Sequence, residues 1–398
     1  MKEFLNRSYL ILFSLYCGVI SFTDLGEAIP NIILGITILL FPFVVKKTDW
    51  KKIQYKAFYI LILLVFVIIF QSVLLSRWED FNFVNKLVLL IIIIILSIPI
   101  EKKLLPVFFF LLGSFFLLLL SSIKLFSIFL VLGKIDMTTG DQVASILLGD
   151  RPYVGYIYVT SFCLCLYISN SLSKIKFLFY ALAFIYFIFI LIISARISFI
   201  SLIIIISSCF FYMKNIIKTS LIILTLCFLG ILIFTFNHNL KKRFFISNNN
   251  YSLEQLVKFE PRYYIWNCGY NIIIENSDYL IGKGFVKVNN QLKTCYSSRK
   301  DFMDKKQQNY FVRRNFNTHN QFLNFFLSTG ILSLFLFVLF FVFWFKKDYK
   351  NYYVCILIFA IFLFCLVENV LSRQMGVELF ALTLIFSNTI SNRDNTRM

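Results

Sequence analysis

The stretch LVLLIIIIILSI, residues 87–98, carries no charge, and LPVFFFLLGSFFLLLLSS at 105–122 repeats the pattern at greater length. A run of roughly 20 apolar residues is long enough to cross the hydrocarbon core as a helix. Lipid offers no partner to an unpaired backbone amide, so each such run must close its own hydrogen bonds as a helix. Hydrophobic residues make up 59% of the chain, and the mean hydropathy is +0.81. A soluble domain is nearer one half apolar. The sequence therefore specifies an all-α integral membrane protein.

Apolar runs place about twelve transmembrane helices, near residues 8–24, 28–45, 56–76, 83–99, 104–123, 153–170, 176–193, 197–213, 216–236, 319–345, 351–371 and 375–391. The fifth ends at 123 or continues toward 132, since the apolar character persists past Lys124. The expected organisation is residues 1–236 with helices one to nine and an outer loop at 124–152, a polar region at 237–318, and residues 319–398 with the last three helices and a short tail. With the N-terminus inside, the short inner connections and the two ends hold eighteen basic residues. The short outer connections hold five, at Arg77, Lys134, Arg151, Arg196 and Arg373. That asymmetry follows the positive-inside rule and puts both termini in the cytoplasm. The 82-residue segment 237–318 is then a large, partly helical extracytoplasmic loop between helices nine and ten. A loop of that length crosses the membrane largely regardless of its charge.

The net charge of +19 does not indicate nucleic acid, because most lysines sit in the short inner connections. The first apolar run follows Lys2 and Arg7 without a small-residue cleavage site, and it reads as an uncleaved helix. Nine cysteines are scattered mostly through apolar runs and form no C-x-x-C pair, so neither a metal nor a cofactor is expected. Cys268 and Cys295 lie in the polar segment, where oxidation is possible. Nothing in the sequence fixes their separation.

Ionisable and amide side chains at membrane depth are costly and usually functional. In this topology they gather at the outer face. Arg196 lies in SARIS, between two helices; Asp150 and Arg151 open the sixth helix. Glu368, Asn369, Arg373 and Glu378 surround the turn between the last two helices. His319 opens the tenth. Asn317, Gln321, Asn324 and Ser328 follow i, i+4, i+7, i+11 spacing, one face of a helix. His319 points away from that stripe if the helix includes it, and so belongs at the helix boundary. Each cluster also has a plainer reading: an arginine snorkelling to the interface, a structural Glu368–Arg373 ion pair, or an interfacial histidine.

Four features, in this order, resemble the O-antigen ligase and polymerase superfamily of bacterial membrane glycosyltransferases. They are ISARISFISL at the seventh-to-eighth junction, PRYYIWNCGYNIIIENSDYLIGKGF with its Arg-x-x-x-Trp helix and Gly-x-Gly turn, THNQFLNFFLSTGILSLFLF, and the large outer loop before the tenth helix. The likeness covers about residues 140–390. ILSLF follows Gly330 where ligases often carry a second glycine. The resemblance implies transfer of a glycan from a polyprenyl-diphosphate-linked oligosaccharide donor to a hydroxyl acceptor, either a lipid core or a growing chain. It also implies metal-independent chemistry at the outer face of the cytoplasmic (inner) membrane, in cell-surface polysaccharide biosynthesis.

Arg196 and Arg262 match the family's arginines and would hold the diphosphate, with Arg373 a weaker third. A guanidinium fork suits phosphate oxygens and stays charged. His319 matches the family's histidine and would accept the acceptor's proton. Glu368 is the alternative base or the residue that orients the sugar. Arg151, Gln321 and Asn324 are weaker candidates for sugar contacts. The rival reading is a flippase or transporter of lipid-linked oligosaccharide. Transporters bind substrate near the midplane at broken helices, and no pair of Gly- or Pro-broken helices is visible in the sequence.

Overall fold

A computed structural model describes residues 2–26, 28–53, 55–100, 104–132, 140–193, 195–212, 224, 260–274, 279–302 and 305–395. The expected ninth helix, near 216–236, lies outside the described residues apart from residue 224, as do residues 237–259 of the polar segment. The described residues fold into helices, and there is no strand among them.

Helices α1 (Lys2–Val19), α2 (Ala28–Val44), α3 (Lys56–Leu74), α4 (Phe81–Leu96) and α5 (Leu105–Leu132) are followed by the short α6 (Gly140–Leu147). Then come α7 (Arg151–Ser171), α8 (Lys176–Ile193) and α9 (Arg196–Tyr212). Among the described residues, seven segments are long and apolar enough to cross a membrane, and α2, part of α9 and a late helix at Tyr352–Val367 are shorter apolar ones. The fifth helix does continue to Leu132. Lys124 does not end it, because its ammonium donates to the Ser145 carbonyl at 2.9 Å.

α7 is buried along almost its whole circumference, as expected of a helix surrounded by others. It packs against α8, α9 and α5. By contrast Phe177, Val131, Leu39 and Phe66 are exposed, the arrangement of a bundle whose outer surface meets lipid rather than water.

Three short helices, α10 (Pro261–Ile274), α11 (Phe285–Ser298) and α12 (Lys305–Arg314), build a separate small core from Tyr264, Cys268, Val288, Leu292, Tyr296 and Phe311. A Cys268–Cys295 disulfide ties α10 to α11. Arg299 donates through Nε to Asp301 at 2.7 Å. That bond, against some burial, holds the guanidinium above its ordinary pKa.

The chain closes with α13 (Gln321–Asp348), α14 (Tyr352–Val367) and α15 (Gln374–Asn395). α13 packs on α3, and α15 on α4. α13 is interrupted at Gly330, with φ +82° and ψ −176°. The sequence did not reveal this break. It exists because another segment enters it: Lys283 N donates to Leu327 O at 2.9 Å, Gly284 N to Ser328 O at 2.8 Å, and Ile331 N to Tyr279 O at 2.9 Å. Carbonyls freed by the kink are thus satisfied by the glycine turn at 279–284. A Cβ on Gly330 would run into the Leu280 carbonyl, and one on Gly282 would stand 2.5 Å from the Ser328 carbonyl carbon. Arg77 holds both sides of the joint, donating to Gly282 O at 2.7 Å and Ser328 O at 3.3 Å.

Candidate active site

His319 sits two residues before α13, with Asn320 capping the helix by accepting from Leu323 N at 3.0 Å. Its backbone is left-handed, φ +42°, a conformation that costs a non-glycine residue of order 1–2 kcal/mol and persists only where the surroundings impose it. Here they do. Asn317 Oδ1 accepts from His319 N at 3.1 Å, and the Thr318 hydroxyl donates to Asn369 Oδ1 at 2.9 Å. Asn320 N donates to the same oxygen at 2.8 Å. From α10, the Trp266 indole donates to the Thr318 carbonyl at 3.2 Å. Arg262 and Trp266 are one helical turn apart, which is why an Arg-x-x-x-Trp spacing brings both to the same segment.

The imidazole Nδ1 lies 3.0 Å from Glu368 Oε2. The second carboxylate oxygen, Oε1, is 3.8 Å from Arg262 Nη2. Arg262 also reaches Glu260 Oε1 at 3.0 Å, and Arg196 pairs with Glu260 Oε2. A continuous chain of polar contacts thus runs His319, Glu368, Arg262, Glu260, Arg196. Glu368 is 8% exposed at its side chain, whereas Arg196 keeps 40% and Glu260 31%. The Glu368 end of the chain is closed and the Arg196 end is open. Arg262 Nε is buried without a hydrogen-bond partner, which leaves one donor of the fork unused.

The other expected site residues fall differently. Arg373 pairs with Asp150 and lies over the Tyr153 ring at 5.4 Å, so its direct partners are at the start of α7. Burial alone would lower its pKa, but Tyr153, Asp150 and Glu368 hold it above its ordinary value. Glu368 and Arg373 are therefore not the direct ion pair that sequence proximity suggested. Arg151 is the first residue of α7, buried, next to Asp150. Gln321 is buried, and its Oε1 accepts from Leu371 N at 2.8 Å. Asn324 Nδ2 reaches Ser372 Oγ at 3.4 Å. The polar stripe holds for Gln321, Asn324 and Ser328. Asn317 precedes the helix and joins the site through the loop instead. Glu378 is buried in the first turns of α15, accepting from Gln374 Nε2 at 3.0 Å.

Sequence reasoning missed Glu260, which has no local signature in a polar segment, and gave Asn369 no role of its own. Among the described residues no group of three or more His, Cys, Asp or Glu side chains could hold a metal ion.

Residues 159–338 match the O-antigen ligase family model. This O-antigen ligase domain begins within α7 and ends within α13, and it contains Arg196, Arg262, His319, Gln321 and Asn324. The match supports the resemblance to the O-antigen ligase and polymerase superfamily, and with the apolar helices it points to a multi-pass membrane protein. Glu368, Asn369 and Arg373 lie beyond the matched O-antigen ligase residues and join them through the turn between α14 and α15. No curated protein matches the chain.

Proposed function

We propose that the protein transfers a glycan from a polyprenyl diphosphate to a hydroxyl acceptor at the outer face of the cytoplasmic membrane. The observation that carries this reading is the unbroken chain from His319 through Glu368 and Arg262 to Arg196. With Nδ1 turned to Glu368, the imidazole donates that N–H to the carboxylate, and Nε2 is left to accept a proton. His319 is then the base, and Glu368 the residue that fixes its tautomer. The acceptor oxygen bonds to the anomeric carbon as the bond from that carbon to the diphosphate oxygen breaks. The electron pair leaves with the lipid diphosphate, and the acceptor proton passes to Nε2.

Negative charge grows on the departing diphosphate, and preorganised cations there lower the barrier. Arg196 and Arg262 each donate through one Nη to a different oxygen of Glu260, a pair of oxygens that a diphosphate could replace. Glu260 is therefore a stand-in that the diphosphate displaces. Arg373, held at α7, is the outlying cation of the set. Asn324 contacts a sugar hydroxyl, while the fully buried Gln321 holds the Leu371 amide and so the turn that follows Glu368.

The break in α13 at Gly330 is the one observation favouring transport, since transporters build substrate sites on broken helices. Here the break is filled by the 279–284 turn and clamped by Arg77, which argues against it. The test is to supply purified protein with a polyprenyl-diphosphate oligosaccharide and acceptor, with EDTA present, and to measure released lipid diphosphate and product size. Release that collapses in folded Arg196→Ala and Arg262→Ala variants is expected. A ladder identifies a polymerase and a single transfer a ligase. Movement of intact donor across vesicles without release would favour transport.

A further inference from the structure

A cavity of about 160 Å³ lies next to the turns that carry His319 and Glu368, and its lining includes five asparagines, Asn82, Asn289, Asn317, Asn324 and Asn369. Ligand sites commonly measure about 300–1,000 Å³, so this smaller cavity suits one sugar ring rather than a longer saccharide. We propose that it is the subsite for the acceptor's terminal sugar, and that it selects an uncharged, hydroxyl-rich residue. The inference rests on the transferase reading given above.

The lining argues for the ligand's chemistry. A primary amide offers two donors and an acceptor, and several of them in one wall suit vicinal hydroxyls, which both donate and accept. Asn369 is buried, and its Nδ2 has no hydrogen-bond partner. A buried donor left unpaired is costly, and a ligand hydroxyl at this wall would satisfy it. Asn324 is also buried and makes only the long contact to Ser372. On the same wall Phe83 and Phe285 stack with centroids 3.8 Å apart, an apolar patch for the C–H face of a pyranose.

The charges argue for neutrality. The lining carries Glu79, Asp80 and Lys86. Asp80 is already used, accepting from Val286 N at 2.9 Å with Arg77 beside it. Lys86 donates to the Ser372 carbonyl at 2.6 Å. Glu79 and Lys86 then balance, and no cationic surplus remains to draw an acidic sugar or a phosphate. The arginine end of the site differs in this respect.

Position assigns the cavity to the acceptor rather than the donor. Asn369 follows Glu368 directly, and Asn317 holds the His319 amide. Arg262 approaches the opposite carboxylate oxygen from the one His319 meets. A single displacement requires the incoming oxygen and the leaving diphosphate on opposite sides of the anomeric carbon. With the diphosphate on the arginines, the incoming hydroxyl comes from the asparagine side.

The experiment is saturation-transfer NMR on the full chain in detergent, with free hexoses, N-acetylhexosamines and their disaccharides at millimolar concentration and glucuronic acid as the anionic control. At least one uncharged saccharide is expected to bind, with glucuronic acid silent. Asn289→Trp, which fills the cavity, and Asn82→Leu, on a different helix, should each weaken that binding about tenfold, while Arg262→Ala retains it. Thermal melting and gel filtration check the fold, and Asn82→Leu decides if Asn289→Trp does not fold. The proposal is overturned if no uncharged saccharide binds, if binding survives both cavity variants, if glucuronic acid binds best, or if Arg262→Ala abolishes the signal. Lipid-diphosphate release is read separately on the same samples. Sugar binding without release sinks the transferase reading and leaves the saccharide site standing; release without sugar binding does the reverse.

Discussion

His319 Nδ1 and Glu368 Oε2 stand 3.0 Å apart although 49 residues separate them in sequence. The pairing is built from both sides. Asn369, the neighbour of Glu368, takes hydrogen bonds from Thr318 and Asn320, the two neighbours of His319. One asparagine side chain therefore registers the turn after α14 against the start of α13, and the histidine and carboxylate meet as a result.

Glu260 occupies the two arginines that would hold a diphosphate. Its pairs with Arg196 and Arg262 are partly exposed, and such pairs contribute about 1 kcal/mol or less. Glu260→Gln should therefore lower the donor KM about two- to fivefold with kcat nearly unchanged. Steady-state kinetics with varied donor check this. A raised KM would mean that Glu260 positions the arginines rather than holding their place.

The Cys268–Cys295 bridge closes a sequence separation of 27 residues, for which chain entropy gives about 3.5 kcal/mol. Cys268→Ser with Cys295→Ser should speed amide exchange across α10 and α11 by roughly several hundredfold. Because Arg262 rides on α10, the donor KM should rise as well. Exchange measured by mass spectrometry on wild type and double variant decides it. Unchanged protection would assign the cohesion of these helices to the aromatic core alone.

Gly330→Ala places a Cβ against the Leu280 carbonyl at a backbone angle of φ +82°. The strain should cost about 2 kcal/mol or more and unseat the 279–284 turn, seen as new protease cleavage near Lys283. Gly35→Ala is the control: a Cβ added there would meet nothing within 4 Å, and alanine is the better helix former. Equal behaviour of the two variants would refute the account of the break.

Much of the helix layout was legible, because a membrane span needs only a long apolar run and its position can be read directly. Motif order singled out Arg196, Arg262 and His319, which the structure brings onto one chain of contacts. What was not legible depended on distant partners. Nothing near Gly330 announces that residues 279–284 will enter the helix there, and nothing near Glu260 announces two arginines. Spacing placed Asn317 on the α13 stripe, but the helix begins at Gln321. Chain proximity suggested Glu368 with Arg373, whereas Arg373 pairs with Asp150, 223 residues away. Local periodicity reports a face; it does not report what that face meets.

The most direct test of the central claim is a double-mutant cycle on His319 and Glu368, read as lipid-diphosphate release from a polyprenyl-diphosphate oligosaccharide with acceptor present. Loss of a general base costs about 10²–10⁴-fold, so His319→Ala should fall in that range and Glu368→Gln should fall less. If the two act as a unit, the double variant should be no slower than His319→Ala alone. Fully additive losses, or a His319→Ala variant that turns over faster than Glu368→Gln, would contradict His319 as the base.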